Sequence, residues 1–232
     1  MFVTKTLLFA VALWLMPGHP SLFGDTVGVR ILGLRGPGLV PEWHFKTKHG
    51  FKELTVPTRQ PSELIEVEGD GKLSLYREVM SAGKPPTYQL AYELELPEGA
   101  KSVLIVALAS GEEQRFLLIQ DDVSTATFNE WLFINTSTQP ISFRIGSNEN
   151  AFVIEAKESM SRMINGESGK GIAVRGQMER GGEMKTIYST YWPVRKNSRS
   201  IVIFCEVNNT IKVIKIADYL KGTSGKTNSS KG

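Results

Sequence analysis

Histidine is the side chain that most readily moves a proton near neutral pH. This chain has three, His19, His44 and His49. His19 falls in an N-terminal segment that reads as a removable signal. His44 lies in the strand-like run EWHFK, and His49 precedes Gly50 in a turn-like stretch. A spacing that crosses from strand to turn matches no zinc-binding pattern, so neither a metal nor another cofactor is expected. Cys205 is the single cysteine and sits inside the apolar run IVIFCEV. With no cation or histidine beside it in sequence, it reads as a small buried hydrophobe rather than a catalytic thiol.

Carboxylates are the next candidates. Asp121 and Asp122 are adjacent, and neighbours on a strand face opposite ways, so they form no ready acid/base pair. Asp121 and Asp218 recur at the ends of two similar segments, SVLIVALASGEEQRFLLIQD and SIVIFCEVNNTIKVIKIAD. Each reads as a strand-terminating Asp that bonds the following backbone. The Gly-rich stretches GDGK and ESGKG lack the phosphate-loop spacing and read as hairpin turns. No nucleophile elbow is present. The expectation is a protein that is not an enzyme.

The remaining chemistry is aromatic. TIYSTYWPV brings Tyr188, Tyr191 and Trp192 close to Arg195, Lys196 and Arg199. Aromatic faces beside cations suit a sugar ring or an anionic polymer. Tyr188, Tyr191, Arg195 and Arg199 are therefore the candidate binding residues. Trp192, like Trp43 and Trp131, reads as core. Asn135, Asn208 and Asn228 begin glycosylation sequons, relevant only in a host that glycosylates.

The elements that position these residues read as strands. In TYQLAYELEL, Tyr88, Leu90, Tyr92, Leu94 and Leu96 alternate with Gln89, Ala91, Glu93 and Glu95, the period of a strand with one buried face. SVLIVALA and SIVIF are apolar on both faces, as central strands covered on each side would be. Only KESMSRMI (157–164) suggests a helical turn.

The two similar segments belong to a longer series. VRILGL lies over WLFINT, PEWHFK over PISFRI, GFKELTV over AFVIEAK, EGDGKLSLYRE over ESGKGIAVRGQ, and ELPEGAKSVLIV over YWPVRKNSRSIVIF, in that order. An ordered series of this kind marks an internal duplication. Each copy holds about seven short strands separated by turns, the pattern of an antiparallel β-sandwich. The expected fold is all-β: two tandem Ig-like or jelly-roll-like sandwich units packed on each other. The units span 25–121 and 130–220, with a short linker at 122–129 and a disordered, Gly/Ser-rich tail at 221–232.

Residues 1–24 carry Lys5 and then the apolar run LLFAVALWLM, the layout of a secretory signal peptide. That run is too short to span a bilayer, and no transmembrane span is expected after cleavage. Export to the periplasm or the outside is the expectation, with a fold held by packing alone, since one cysteine allows no internal disulfide. The net charge is +3, and Lys221, Lys226 and Lys231 of the acid-free tail account for much of it. A near-neutral body argues against nucleic acid as ligand. The expected role is binding or structural, with an envelope polysaccharide or another exported protein as partner. Two alternatives are an acid/base polysaccharide hydrolase, which needs facing carboxylates between the units, and a periplasmic assembly chaperone acting by strand addition, which needs a long uncovered edge.

Overall fold

The structure, a computed structural model, describes residues 26–219 apart from 35–38, 41, 69–70, 111–112, 147–150, 168, 196–197 and 208–209. The signal segment, the tail, Lys196 and the sequons at Asn208 and Asn228 lie outside the described residues.

The first unit runs β1 (Thr26–Gly33), β2 (Glu42–Thr47), β3 (Gly50–Thr55), β4 (Ile65–Glu68), β5 (Lys72–Val79), β6 (Thr87–Glu95), β7 (Ser102–Ser110) and β8 (Glu113–Gln120). The second runs β9 (Glu130–Asn135), β10 (Ile141–Ile145), β11 (Phe152–Ile154), β12 (Ser159–Met163), β13 (Gly171–Arg180), β14 (Glu183–Pro193), β15 (Arg199–Val207) and β16 (Thr210–Asp218). The first unit has sheets ordered β4-β1-β7-β8 and β3-β2-β5-β6. The second repeats both orders strand for strand as β12-β9-β15-β16 and β11-β10-β13-β14. Among the described residues no helix is long and apolar enough to cross a membrane.

Each unit therefore has one more strand than the sequence pattern suggests, and the extra one is the same in both. β4 is hidden in SELIEVE, and β12 occupies the stretch whose sequence suggests a helical turn. Both are short edge strands that gain their pairing from β1 and β9. Tertiary pairing overrides a weak local preference there. A second difference is direction. β1 pairs with β7, and β9 with β15, in parallel. After β1 the chain crosses to the other sheet, returns at β4 antiparallel to β1, crosses again through β5 and β6, and re-enters at β7 from the same end as β1, which a parallel ladder requires. GDGK and ESGKG accordingly join one sheet to the other and are not hairpin turns, because β4 and β5, like β12 and β13, lie in different sheets.

Packing follows from alternation. Val29, Ile31, Trp43, Phe45, Leu73, Leu75, Val103 and Ile105 fill the first sandwich. Trp131, Phe133, Phe143, Val174, Trp192, Val202 and Phe204 fill the second. Residues of opposite parity on the same inner strands form a third apolar layer: Leu32, Leu104, Val106 and Ile119 from the first unit with Ile134, Ile201, Ile203 and Ile216 from the second. The inner sheet of each unit is thus buried on both faces, which is why β7 and β15 carry unbroken apolar runs.

The cleanest alternation in the sequence fails in part. The β5–β6 ladder shifts register between Leu75 and Tyr76, so Leu75 opposes Tyr92 while Tyr76 opposes Leu90. A bulge of this kind adds a residue and reverses the facing of the residues beyond it. Tyr92 and Leu94 pack on the core, whereas Leu90 is 52% exposed. Asn135 is fully buried, and its Nδ2 donates to the carbonyls of Gln139 and Ile154 at 2.8 and 3.1 Å. Its sequon is therefore not available to a glycosylating enzyme in the folded chain.

Candidate functional site: the cleft where the two units meet

The third apolar layer ends in four charged residues. Period-two alternation places Arg30 beside Leu32, Asp121 beside Ile119, Arg199 beside Ile201 and Asp218 beside Ile216, all facing the opposite unit. Arg30 Nη1 and Nη2 donate to Asp218 Oδ1 and Oδ2 at 2.9 and 3.1 Å, and Nη2 also donates to Asp121 Oδ2 at 2.7 Å. Arg199 Nη1 and Nη2 donate to Asp121 Oδ1 and Oδ2 at 2.6 and 2.8 Å. Its Nε and Nη2 reach Asp218 Oδ2 at 3.2 and 2.9 Å. Each guanidinium bridges both units and each carboxylate is held by both arginines. All four side chains are at most 6% exposed.

This arrangement replaces the expected role of the two aspartates as caps of their own backbone. The ladder also moves the sequence match by one residue. Asp218 stands opposite Arg199, and the Asp121 N–H bonds the Ser102 carbonyl at 3.0 Å. Arg199, not Ser200, therefore occupies the place of Ser102. Burial pushes the Asp121 carboxyl up, but hydrogen bonds and charge from Arg199 and then Arg30 more than offset it, and the group lies below its usual range. Burial likewise disfavours the Arg199 cation, and Asp121 and Asp218 override it and hold the proton more tightly.

A cleft of about 390 Å³ opens onto this cluster, lined by Arg30, Ser62, Glu63, Leu64, Val123, Asp218 and Tyr219 among others. Its first wall is the segment leading into β4. Ser62 N–H donates to the Ile31 carbonyl at 2.8 Å, and the Ile31 N–H donates to Ser62 Oγ at 3.0 Å. Gly28 lets Leu64 lie down on β1: a Cβ there would come within 2.9 Å of Leu64 Cδ1 and 3.2 Å of Ser102 Cβ. The opposite wall is Tyr219, just past β16, with Val123 from the connector tied by its N–H to Ser102 Oγ at 3.2 Å. Leu64 and Tyr219 are 50% and 54% exposed. Arg30 Nε is buried and has no hydrogen-bond partner. A larger groove of about 800 Å³ lies on the second unit, lined by Val153, Met178 and Met184 among others.

The residues singled out in the sequence disperse. Tyr188 is half-buried and its hydroxyl accepts the Trp192 indole N–H at 3.0 Å. Trp192 is core, as are Trp43 and Trp131, though it takes the place of Leu94 and not Leu96, since Trp192 opposes Ile172 as Leu94 opposes Leu73. Tyr191 is 74% exposed and lies on the other face, over Gly171. Arg195 is exposed, and Arg199 leaves the aromatic group altogether for the ion cluster. The cation that does meet the aromatics is Lys215: its Nζ sits 4.0 Å from the Trp131 ring and 5.3 Å from the Trp192 ring and donates to the Pro193 carbonyl at 3.0 Å. Burial and then Arg195 lower Lys215 to about 8. These rings are already filled by a side chain of the protein itself. None of Tyr188, Tyr191 and Arg195 lines the cleft.

His44 stands on the outer face of the first unit, its Nε2 3.5 Å from Glu78 and its ring 5.0 Å from that of Tyr88. His49 is exposed in the β2–β3 turn. Among the described residues no group of three or more His, Cys, Asp or Glu is placed to hold a metal ion. Cys205 is buried in the layer between the units, and burial raises its thiol.

Sequence reasoning missed the cleft because it paired neighbours along the chain. The available signal was Arg30 inside the apolar run of β1, Arg199 opening the apolar β15, and Asp121 and Asp218 closing β8 and β16. No protein-family model matches the chain, and no curated protein matches it either.

Proposed function

We propose that the protein is an exported, non-enzymatic binding protein of the cell envelope or the extracellular space, and that its ligand enters the cleft between the two units. One observation carries this reading: a cleft of about 390 Å³ opens where the two units meet, with half-exposed Leu64 and Tyr219 on either side of buried Arg30 and Asp218. Pockets that bind small molecules favour interfaces between domains, with mostly apolar walls and a few directed polar groups.

The hydrolase reading gains less. Asp121 and Asp218 do face each other between the units, but both arginines occupy both carboxylates. Asp121 is held below its ordinary range, the opposite of what a general acid requires. Strand addition gains less as well. The long edges of the outer sheets, β6 and β14, each meet a register shift in their ladders, and irregular edges resist pairing, which leaves only β8 and β16 of the inner sheets as long regular edges among the described residues.

The test is ligand-observed NMR on the mature chain with a panel of envelope saccharides and short peptides. Binding that disappears in Leu64→Trp, which fills the cleft from an exposed position, supports the reading. Binding untouched by Leu64→Trp, or no binding across the panel, removes it. N-terminal sequencing of the exported chain checks the export step, with a start expected near residue 25.

A further inference from the structure

We propose that the edge of β8 is a second binding surface, where one extended, apolar segment of a partner protein adds as a further strand to the inner sheet of the first unit. The surface is separate from the cleft.

Hydrogen bonds fix which groups of β8 point outward. Along an antiparallel strand, successive residues turn their N–H and C=O to opposite neighbours. The Ala107 carbonyl accepts from the Leu34 N–H at 2.9 Å, on the β1 side of β7. Phe116, which stands opposite Ala107, therefore turns its N–H and C=O away from the sheet. The bond from Asp121 N–H to the Ser102 carbonyl at 3.0 Å sets the same phase, so Leu118 and Gln120 also point outward. Gln114 lies at one end of this row, where its Oε1 accepts the Val40 N–H at 3.0 Å. β8 is the last strand of its sheet, and among the described residues no strand meets the row. Another extended backbone is the group that matches it.

The second unit roofs this edge. β1, β7 and β8 pack on β9, β15 and β16 in the layer between the units, and neither β4 nor β12 contributes a residue to that layer. Arg30 of β1 meets Asp218 at the end of β16, so β4, beyond β1, projects over the β16 edge. The duplicated arrangement sends β12, beyond β9, over the β8 edge. Residues opposite each other on paired strands share a face. Ser161 stands opposite Leu132, and Met163 opposite Glu130, so both look toward the first unit, as Leu132 does. Met163 is 58% exposed. The overhang is one strand wide, so the slot admits one strand. A second copy pairing β8 to β8 would bring its own β9 and β12 into the space that β12 already fills. Residues 221–232 hold no apolar side chain and do not suit the slot.

The duplication supplies a comparison within the molecule. The β16 edge is as long, but its slot is charged on both sides. Lys215 turns inward from β16 over Trp131 and Trp192, and exposed Glu66 of β4 faces the slot. Inward charges on an edge strand resist pairing. Leu118 stands opposite Ile105 as Lys215 stands opposite Val202, and Met163 stands opposite Glu130 as Glu66 stands opposite Gly28. The β8 slot therefore carries Leu118 in place of Lys215 and Met163 in place of Glu66. Phe116, Leu117 and Leu118 are each half-buried. An added strand lies beside Phe116 and Leu118 on one face and against Met163 on the other, so its central residues are apolar on both faces, as those of β7 are.

The experiment uses the full mature chain, isotope-labelled, with the blocked peptide Lys-Ser-Val-Leu-Ile-Val-Ala-Leu-Lys. The same peptide N-methylated at its central Ile and the next Val is the control, because the two methyl groups block both of its edges. Amide hydrogen exchange and methyl signals are followed by NMR. The unmodified peptide is expected to slow exchange at Phe116 and Leu118 about tenfold and to shift the Met163 methyl. The Val213 and Lys215 amides and the Leu64 methyls are expected to stay unchanged, and the methylated peptide to have no effect. Leu118→Lys should abolish binding but endangers the sandwich core. Met163→Glu, at an exposed position, is therefore the second variant, and it is expected to weaken binding about tenfold with the melting temperature unchanged. Glu66→Met combined with Lys215→Leu is expected to extend the protection to Val213. If the peptide leaves Phe116 and Leu118 exchanging as before, or the methylated peptide protects them equally, the proposal is overturned. A dimer of the chain alone that Met163→Glu dissociates overturns the single-strand occupant. The Leu64 methyls report on the cleft separately, so failure here is distinguishable from failure of the cleft reading.

Discussion

Asp121 and Asp218, which close the same strand in the two halves of the chain, accept hydrogen bonds from one atom, Arg30 Nη2, at 2.7 and 3.1 Å. Two carboxylates this close repel unless cations stand between them, and Arg30 and Arg199 do so from opposite units. The duplication supplies the acids symmetrically. The arginines break the symmetry: Arg30 lies on the first strand of its unit, and Arg199 on the seventh strand of the other.

Asp121→Asn leaves two buried guanidinium groups with one carboxylate. Breaking a buried pair in this way costs about 3–5 kcal/mol. Urea denaturation is expected to show a loss of that order. Replacing all four residues together with Met and Leu is expected to be neutral or stabilising by about 1–4 kcal/mol, since well-packed apolar groups carry no desolvation cost. A large loss in that fourfold variant would mean that the cluster contributes stability beyond charge compensation.

Acid should weaken the same cluster. The folded Asp121 carboxyl titrates below its unfolded value of about 3.9. As pH falls, the unfolded chain takes up the proton first, so the contribution of Asp121 is full above about pH 4 and is lost as pH drops through the folded value. Melting temperature measured from pH 7 to pH 2 should fall more steeply in the native chain than in Asp121→Asn.

Lys215 predicts a slope of the same sign in a second window, at high pH. Its folded value is about 8, below the ordinary lysine value of 10.5. Below pH 8 the charged form is disfavoured in the fold, and stability should rise as pH climbs from about 8 to 10.5, where only the unfolded chain still holds the proton. The first unit carries Leu118 at the equivalent position of β8. Lys215→Leu is therefore expected to raise the melting temperature at pH 7 and to flatten the rise between pH 8 and 10.5. Differential scanning calorimetry across that range checks both.

The bulge in the β5–β6 ladder separates two leucines of similar sequence context. Leu75 is fully buried and Leu90 is 52% exposed. Leu75→Ala should cost about 2–5 kcal/mol, whereas Leu90→Ser should stay within about 0.5 kcal/mol. Chemical denaturation of the two variants distinguishes this facing from the unbroken alternation seen in the sequence.

Taken alone, the sequence established the all-β class, the duplication and the central place of β7 and β15. Alternation and two-faced apolar runs are local patterns, and burial enforces them residue by residue. It identified Trp43, Trp131 and Trp192 as core for the same reason. It did not reveal β4 and β12, whose pairing partners lie far along the chain, nor the parallel ladders, which depend on where the chain re-enters a sheet. Above all it could not place Arg30, Asp121, Arg199 and Asp218 together. Their charges lie on three strands and just past a fourth, from two units, and only the packing of inner sheet on inner sheet brings them within hydrogen-bonding distance. The cleft beside them exists for that reason, and tertiary structure alone decided it.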